Sequence, residues 1–374
     1  MSQNQRIAAI DWMRGFVMIL MIIDHVAMAY NGHHLALDSA ASFTPDKALP
    51  EDEFITRWIT HLCAPVFVFL AGTALAISVE RKVAKGVAAR IIDKDILLRG
   101  GFIAILDPTI ISLFSGKLIF QVLYAIGMAM ICMAFLRRLS TPILLTLAFG
   151  WIIGGEYITS LFWPPTIGDN QSIIAALLFS TYSEHGVLSI KYPLLPWLAM
   201  MILGWVFGRY LLLYREGKTN IGPVRVLLIS GIMALIGFAL IRYFNDYGNM
   251  FLLRYGNDWV QWLHVSKYPP SASYVLLELG IMAVILGGMI ALERVIGVRP
   301  NGFLLVLGQT SMFFYLVHRL ILEGTATYGG LRGFGTLETT YIGATIGLIM
   351  LYPLCLWYRG FKQRHPDWIL TKYI

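Results

Sequence analysis

The chain carries apolar stretches of membrane-spanning length along almost all of its 374 residues. A helix needs about 20 consecutive apolar residues to cross the hydrocarbon core of a bilayer. Windows of that size predict ten spans, at residues 12–30, 56–78, 95–114, 119–136, 142–162, 193–213, 224–243, 273–292, 302–322 and 339–358. We therefore expect an all-α fold, a polytopic membrane helix bundle of about ten transmembrane helices that forms one domain over residues 1–374.

Composition agrees with a membrane protein and argues against a soluble one. Hydrophobic residues make up 57% of the chain and charged residues 14%, with a mean hydropathy of +0.67. These values lie far from those of ordinary soluble domains. The formal net charge of +7 is typical of basic residues that collect on cytoplasmic loops, so no nucleic-acid binding is expected. Cys63, Cys132 and Cys355 are isolated within apolar runs, which predicts packing roles.

The basic residues predict the orientation of the bundle. If the N-terminus is cytoplasmic, 20 of the 29 Lys and Arg residues fall on the cytoplasmic side. The largest group follows the second span and comprises Arg81, Lys82, Lys85, Arg90, Lys94 and Arg99. The first apolar run is too long for a cleavable signal peptide and contains charged residues, so we expect it to be retained. Both termini are therefore predicted to be cytoplasmic.

The first span contains the strongest candidate residues. The stretch DWMRGFVMILMIIDH, from Asp11 to His25, places ionisable side chains at the depth of the membrane, where such groups are functional candidates by default. At about 100° and about 1.5 Å per residue, the step from Arg14 to His25 puts both on nearly one face, roughly 16 Å apart. Asp24 points about 100° away from its neighbour His25, so a carboxylate from another span is needed to orient the imidazole.

Two further spans supply histidines. His61 opens the stretch ITHLCAPVFVFLAGT, in which Pro65 kinks the helix and Gly72 permits a close helix contact. His318 lies near the predicted external end of the ninth span. These histidines could converge with His25 on one site, or they could form interhelical or interfacial hydrogen bonds with a structural role.

Carboxylates and aromatic turns complete the candidates. Asp107 and Glu278 are intramembrane carboxylates, and either could orient a histidine or pair with a basic group. Lys267 and Tyr268 precede two prolines that fix an extended turn before the eighth span. Trp197 belongs to a similar Pro-containing turn before the sixth span. Both turns could place aromatic side chains at a site, or could simply anchor the bundle at the membrane surface.

The sequence contains no P-loop, GxGxxG, HExxH or nucleophile-elbow motif in a suitable context, so templates from soluble enzymes do not apply. Five stretches, in order, carry a resemblance to a membrane family: DWMRGFVMILMIIDH, THLCAPVFVFLAGT, YPLLPWLAMMILGW, SKYPPSASYVLLELG and LGQTSMFFYLVH. From Arg6 to His318 the chain resembles the bacterial DUF1624 family, which is related to heparan-α-glucosaminide N-acetyltransferase. The resemblance implies the fold of a transmembrane acyltransferase superfamily, whose members pass an acyl group from cytoplasmic acyl-CoA to an acceptor across the membrane.

The resemblance also implies which residues act. The acyltransferase-3 branch of the superfamily has an Arg and a catalytic His separated by ten residues in its first helix, and Arg14 and His25 match that spacing. The lysosomal enzyme has its essential histidine in the loop after the first helix, where His33 or His34 is the equivalent here. Both assignments stay open, and we favour His25 because it lies in the membrane at the motif spacing.

The resulting hypothesis is transfer of an acyl group, acetyl in the first instance, from cytoplasmic acyl-CoA to a sugar or similar acceptor on the extracytoplasmic side. Acyl-CoA is the donor substrate, and no metal is expected. The expected partners are the lipid bilayer, a small-molecule or glycan acceptor and, as an option, a second copy of the chain in a homodimer; the expected location is the cell inner (plasma) membrane. The proposed residues are His25, Asp24 and His61 for catalysis, Arg14, Arg90 and Arg99 for the donor, and Lys267, Tyr268, Trp197, His318 and His34 for the acceptor.

Two other classes of function remain open. A small-solute transporter or permease would also place ionisable residues in the membrane, and it predicts uptake without any requirement for CoA. A b-type haem protein could use two of His25, His61 and His318 as axial ligands, and it predicts a Soret absorbance band.

Overall fold

The computed structural model describes residues 7–163, 172–184, 187–366 and 368, so Arg6, where the resemblance begins, lies outside the described residues. The described helices are α1 (Ala8–Tyr30), α2 (Glu51–Thr60), α3 (Cys63–Ala84), α4 (Ala89–Leu106), α5 (Val122–Leu136), α6 (Thr141–Ser160), α7 (Ile173–Leu178), α8 (Leu194–Arg215), α9 (Pro223–Phe244), α10 (Trp259–Leu263), α11 (Ala272–Ile296), α12 (Phe303–Gln309), α13 (Ser311–Tyr328) and α14 (Leu337–Arg364). Three short strands accompany them: β1 (Leu118–Phe120), β2 (Tyr182–Glu184) and β3 (Leu188–Ile190).

The prediction of an all-α membrane bundle is confirmed. Within the described ranges, seven segments are long and apolar enough to cross a membrane: α1, α2 with α3, α6, α8, α9, α11 and α14. An eighth span results if α12 and α13, which meet at an angle of 85°, are counted together. The predicted number of ten is not confirmed, and the orientation of the termini stays a prediction.

The third and fourth predicted spans account for the difference. α4 carries five charged side chains, and it ends at Leu106, where Asp107–Ile111 forms a single π-helical turn. Pro108 lies in that turn and lacks a backbone N–H, which interrupts the regular helical hydrogen bonds. α5 comprises only 15 residues. The third and fourth predicted spans therefore correspond to α4 with its π-helical turn and to the short apolar helix α5, neither of which has the length and composition of the other spans.

α1 is the helix around which the bundle packs. It contacts α2, α3, α11, α12, α13 and α14, so it is surrounded by protein along most of its length. Glu293 of α11 accepts hydrogen bonds from the backbone N–H groups of Ala8 (3.0 Å) and Ala9 (2.8 Å), which satisfies the first turn of α1. At its other end, the side-chain amide of Asn31 donates to the Glu53 carboxylate at 2.8 and 3.0 Å.

α3 and α8 approach each other through a reciprocal pair of glycines. A Cβ atom at Gly72 would overlap the carbonyl oxygen of Met201, and a Cβ atom at Gly204 would overlap the carbonyl oxygen of Phe69. Small residues allow such close helix contacts in membranes. The predicted role of Gly72 is therefore confirmed. The helix predicted to be kinked at Pro65 is instead interrupted ahead of that residue, where α2 ends at Thr60 and α3 begins at Cys63, which leaves Pro65 in the first turn of α3.

Three connecting segments converge over the carboxyl end of α1. Asp38 lies in the segment between α1 and α2. Its carbonyl oxygen accepts a hydrogen bond from the backbone N–H of Lys267, in the segment before α11 (2.9 Å). The Oγ atom of Ser271 accepts the backbone N–H of Tyr274 (3.0 Å) and so fixes the start of α11 just after the two prolines. The small sheet has the strand order β1-β3-β2 and joins the segment before α5 to the segment before α8. Just beyond β3, the backbone N–H of Lys191 donates to the carbonyl oxygen of Phe120 (3.1 Å).

Candidate active site

A polar cavity of about 130 Å³ lies at the carboxyl end of α1. Its walls come from α1, the segment 31–50, α2, α3, α5, α13 and the turns that precede α8 and α11. Its polar lining includes Asp24, His25, His34, Arg57, Thr60, Gln121, Lys191, Tyr192, Lys267, Tyr268 and Tyr315. Five of the residues predicted from the sequence therefore share one cavity, namely Asp24, His25, His34, Lys267 and Tyr268.

His25 is paired with His318 across two helices. Nδ1 of His25 on α1 lies 2.6 Å from Nε2 of His318 on α13. The two rings are nearly parallel, with centroids 4.9 Å apart, and both residues are buried. The predicted convergence of these two histidines is present, although His318 lies behind His25 rather than on the cavity wall.

The hydrogen bonds of this pair fix the tautomer of each neutral imidazole. Nδ1 of His318 lies 2.7 Å from the carbonyl oxygen of Phe314, which can only accept, so that nitrogen carries the proton. Nε2 of a neutral His318 is then an acceptor, and Nδ1 of His25 must donate to it. The lone pair of His25 therefore sits on its Nε2 atom, as a general base requires.

Asp24 is paired with arginine, not with the histidine beside it. Nη1 of Arg57 donates to Oδ1 of Asp24 at 2.5 Å, and the hydroxyl of Thr60 lies 3.0 Å from the same oxygen. This agrees with the expectation that helical geometry turns Asp24 away from the imidazole of His25. Asp24 thus anchors α2 to α1 at the edge of the cavity.

The same arginine binds a second carboxylate. Nε and Nη2 of Arg57 donate to Oδ2 of Asp38 at 2.8 and 2.6 Å. Burial raises the pKa of Asp38, but the Arg57 guanidinium outweighs it and holds that pKa well below its usual range. Nε2 of His61 lies 3.2 Å from Oδ1 of Asp38. His61 is therefore part of this ion-pair cluster and does not line the cavity.

The turn before α11 supplies a lysine and a tyrosine to the cavity. Nζ of Lys267 lies 5.4 Å from the centre of the Tyr268 ring, and Nζ of Lys191 lies 5.5 Å from the same point. Burial raises the pKa of Tyr268, but the positive charges of Lys267, Arg57 and Lys191 outweigh it and bring that pKa below its usual value. Tyr192 stacks on the buried Trp197, with ring centroids 4.7 Å apart, so Trp197 supports the wall from behind.

A second cavity, of about 460 Å³, lies at the amino end of α1. Its lining includes five basic side chains: Arg14, Arg81, Lys82, Lys85 and Arg215. Nη2 of Arg14 donates to the Leu70 carbonyl at 2.9 Å, and Lys82 pairs with Asp95 at 2.7 Å. Arg14 and His25 thus line two different cavities, one toward each end of α1.

Several predicted residues lie elsewhere. Arg90 and Arg99 are exposed on α4 and do not line the cavity that holds Arg14. His33 is exposed in the segment after α1, whereas His34 lies in the polar cavity. Asp107 does not orient a histidine: its Oδ2 atom accepts the backbone N–H groups of Gln121 and Tyr124, both at 2.8 Å, and so caps α5.

Sequence reasoning did not identify Arg57, Asp38 or Lys191. Arg57 lies four residues before His61 on a helix, a spacing that could have drawn attention to it. Asp38 and Lys191 lie in irregular segments, where no periodicity relates a side chain to a site. Only the tertiary structure brings these three residues beside α1.

Comparison with known proteins identifies the family of the chain. Residues 6–247 match the family model described as heparan-alpha-glucosaminide N-acetyltransferase, catalytic. The chain belongs to this family. The suspected relation to the N-acetyltransferase is thereby confirmed, and the chain is a multi-pass membrane protein of an acetyltransferase family. A search of curated proteins found no match to the chain.

The family match covers most of the site but not all of it. His25, Arg57 and Lys191 lie within the matched residues 6–247, as do the basic residues of the second cavity. Lys267, Tyr268 and His318 lie beyond the match. The polar cavity of this N-acetyltransferase relative is therefore completed by residues that lie outside the match.

Proposed function

We propose that the protein transfers an acyl group, acetyl in the first instance, from cytoplasmic acyl-CoA to the hydroxyl or amine of a sugar-like acceptor on the opposite side of the plasma membrane. Membership of the N-acetyltransferase family supports the reaction type. The two cavities at the two ends of α1 support a path between donor and acceptor.

One observation carries the proposal: His25 lines a polar cavity, and its hydrogen bond to His318, which is itself bonded to the Phe314 carbonyl, leaves the lone pair of a neutral His25 on Nε2. A general base needs an unprotonated nitrogen at a fixed position. His318 is a positioning residue in this account, because it acts on the acceptor only through His25.

The donor would bind at the amino end of α1. CoA carries phosphates, which Arg and Lys side chains bind through charge-assisted hydrogen bonds. Arg14, Arg81, Lys85 and Arg215 line that cavity. The arm that bears the thioester would then follow α1 toward His25, over about 16 Å at 1.5 Å per residue. This arrangement also supports an orientation in which the amino end of α1 faces the cytoplasm.

The chemical step would need one base and one hydrogen-bond donor. Nε2 of His25 accepts the proton of the acceptor hydroxyl or amine, and the nucleophile attacks the thioester carbonyl carbon. The hydroxyl of Tyr268 donates to the oxyanion that forms. The C–S bond then breaks, and the CoA sulfur takes the proton back from His25. The products are the acylated acceptor and free CoA.

The test uses proteoliposomes that contain the purified full-length chain, with a matched His25→Gln variant. Labelled acetyl-CoA is added on one side and a mixture of sugars and amino sugars is enclosed on the other. We expect label to appear on an enclosed compound with the wild type and not with His25→Gln, while both bind acetyl-CoA. Labelled sugar uptake without acetyl-CoA, and no acetylation, would instead support the transporter.

A further inference from the structure

We propose that the polar cavity selects an acceptor that carries a negatively charged group, a carboxylate or a phosphate, and that Lys267 and Lys191 hold this group. The inference rests on the proposed function, since it names the class of acceptor for that site. It depends on which charged side chains surround the cavity and on which of them have an ion-pair partner.

Lys267 is a buried cation without a carboxylate. Only 3% of its surface is exposed, and it lines the cavity. Within the described part of the chain, no carboxylate oxygen lies within 4.0 Å of its ammonium group, and the Tyr268 ring is 5.4 Å away. A buried charge is costly unless it is paired, so an unpaired lysine on a cavity wall indicates a missing anion.

The other charges of the site do not supply that anion. Asp24 and Asp38 are both engaged by Arg57, which makes three hydrogen bonds to them at 2.5 to 2.8 Å. Burial lowers the pKa of His34, which is neutral at pH 7 and adds no charge of its own. The buried carboxylate of Glu278 on α11 lies within electrostatic reach of Lys267, but it forms no ion pair with it and does not line the cavity. Arg57 therefore engages both Asp24 and Asp38, and neither lysine of the cavity has an ion-pair partner among the described residues.

Lys191 widens the positive region toward the cavity mouth. It is exposed, lines the cavity, and lies 5.5 Å from the Tyr268 ring on which Lys267 also rests. Two ammonium groups flank one aromatic ring, and each has three N–H donors and a flexible stem. That combination suits a carboxylate or phosphate, which accepts several charge-assisted hydrogen bonds. A neutral sugar would leave both charges unpaired.

The proposal predicts a charge preference in equilibrium binding. The full-length chain in detergent is titrated with glucuronate, glucose 6-phosphate and glucose at low ionic strength. We expect each charged sugar to bind about 10- to 100-fold more tightly than glucose, and the preference to shrink as salt is added. The ratio between glucuronate and glucose 6-phosphate distinguishes a carboxylate from a phosphate group.

Matched variants assign the preference to the two lysines. Lys267→Gln and Lys191→Gln should each reduce the preference for the charged sugars over glucose by about 10-fold, since each removes one charge-assisted contact. Lys267→Arg should retain it. Lys47→Gln is the control, because Lys47 is exposed in the segment after α1, donates to the Ser42 carbonyl and does not line the cavity.

The inference and the proposed function fail in different ways. Acetyl-CoA binding is measured on every sample, and unchanged binding also shows that a variant is folded. If acetyl-CoA binds but glucose binds as well as the charged sugars, or neither charged sugar binds at millimolar concentration, the charge preference is refuted and the proposed function stands. If Lys267→Gln weakens all three sugars equally, Lys267 is not an anion site. If acetyl-CoA does not bind at all, the proposed function fails first.

Discussion

Nδ1 of His25 lies 2.6 Å from Nε2 of His318, although the two residues are 293 positions apart in the sequence. The contact joins α1 to α13, and α13 lies outside the part of the chain that matches the family. The position of the proposed base thus depends on a helix distant in sequence. Whatever disturbs His318 should change the behaviour of His25 without touching the substrates.

The first prediction concerns this pair. His318→Leu removes the acceptor for Nδ1 of His25, so either nitrogen of His25 can carry the proton. We expect the acyl-transfer rate to fall about 10- to 100-fold, as for other residues that orient a functional histidine. His318→Gln keeps an acceptor oxygen and should restore part of the rate. The measurement is kcat/KM against pH, where His318→Leu should also shift the acidic limb of the profile, because protonation of His25 inactivates it as a base; an unchanged profile would contradict the role.

The second prediction concerns Arg57. Arg57→Leu leaves Asp24 and Asp38 without their partner, and removing one member of a buried ion pair costs about 3–5 kcal/mol of folding free energy. Thermal unfolding in detergent should show the loss. Combining Arg57→Leu with Asp24→Asn and Asp38→Asn removes all three charges and should recover part of it. A triple variant less stable than the single one would refute this interpretation.

The third prediction concerns pH. The pKa of Asp38 lies well below its ordinary value of 3.8, mainly because Arg57 outweighs the effect of burial. Between the folded-state pKa of Asp38 and its ordinary value, the unfolded chain binds more protons than the folded protein, so the free energy of unfolding rises with pH. The contribution is complete above about pH 4 and is lost as the pH falls toward the folded-state pKa. Asp38→Asn should flatten the acid limb of a plot of unfolding temperature against pH; identical limbs would exclude this contribution.

The fourth prediction concerns the contact between α3 and α8. Gly72→Ala forces a methyl group against the Met201 carbonyl, and overpacking costs about 1–3 kcal/mol. Gly101→Ala is the control, because a Cβ atom there meets nothing within 4 Å and alanine favours the helix. Unfolding temperature should fall for Gly72→Ala only. Equal effects of the two substitutions would argue against a close approach at Gly72.

The fifth prediction separates two sets of basic residues for the donor. Arg81→Gln and Lys85→Gln, at the cavity that holds Arg14, should each weaken acetyl-CoA binding by about 10-fold, the effect of losing one charge-assisted hydrogen bond. Arg90→Gln, on the exposed surface of α4, should not. Titration of CoA in detergent measures all three. A larger effect of Arg90→Gln would place the CoA site at the surface of α4 instead of at the cavity that holds Arg14.

Local rules predicted a large part of this molecule. Apolar windows predicted the membrane bundle, and helical periodicity placed Arg14 and His25 at opposite ends of α1. The prolines after Tyr268 predicted the turn that brings Lys267 to the cavity. Each of these inferences uses only the geometry of one element, which a short stretch of sequence determines.

What the sequence did not predict depends on contacts between distant elements. The partnership of Arg57 with Asp38 joins a helix to an irregular segment, and hydropathy does not show that a loop carboxylate is buried. Windows of span length do not resolve the charged residues of α4 or the turn at Pro108, and the predicted ten spans compare with seven or eight segments of spanning length among the described residues. Arg90 and Arg99 were predicted from their charge, but both are exposed on α4 and neither lines the cavity that holds Arg14.

If α1 links a donor cavity at Arg14 to a base at His25, bound CoA must lie along this helix. The most direct test is an electron cryomicroscopy map of the full-length chain with bound CoA. We expect density for the CoA phosphates among Arg14, Arg81 and Lys85, and the sulfur within about 3–4 Å of His25, as a reacting group requires. A map in which CoA occupies another surface, or in which its sulfur ends far from His25, would contradict this arrangement.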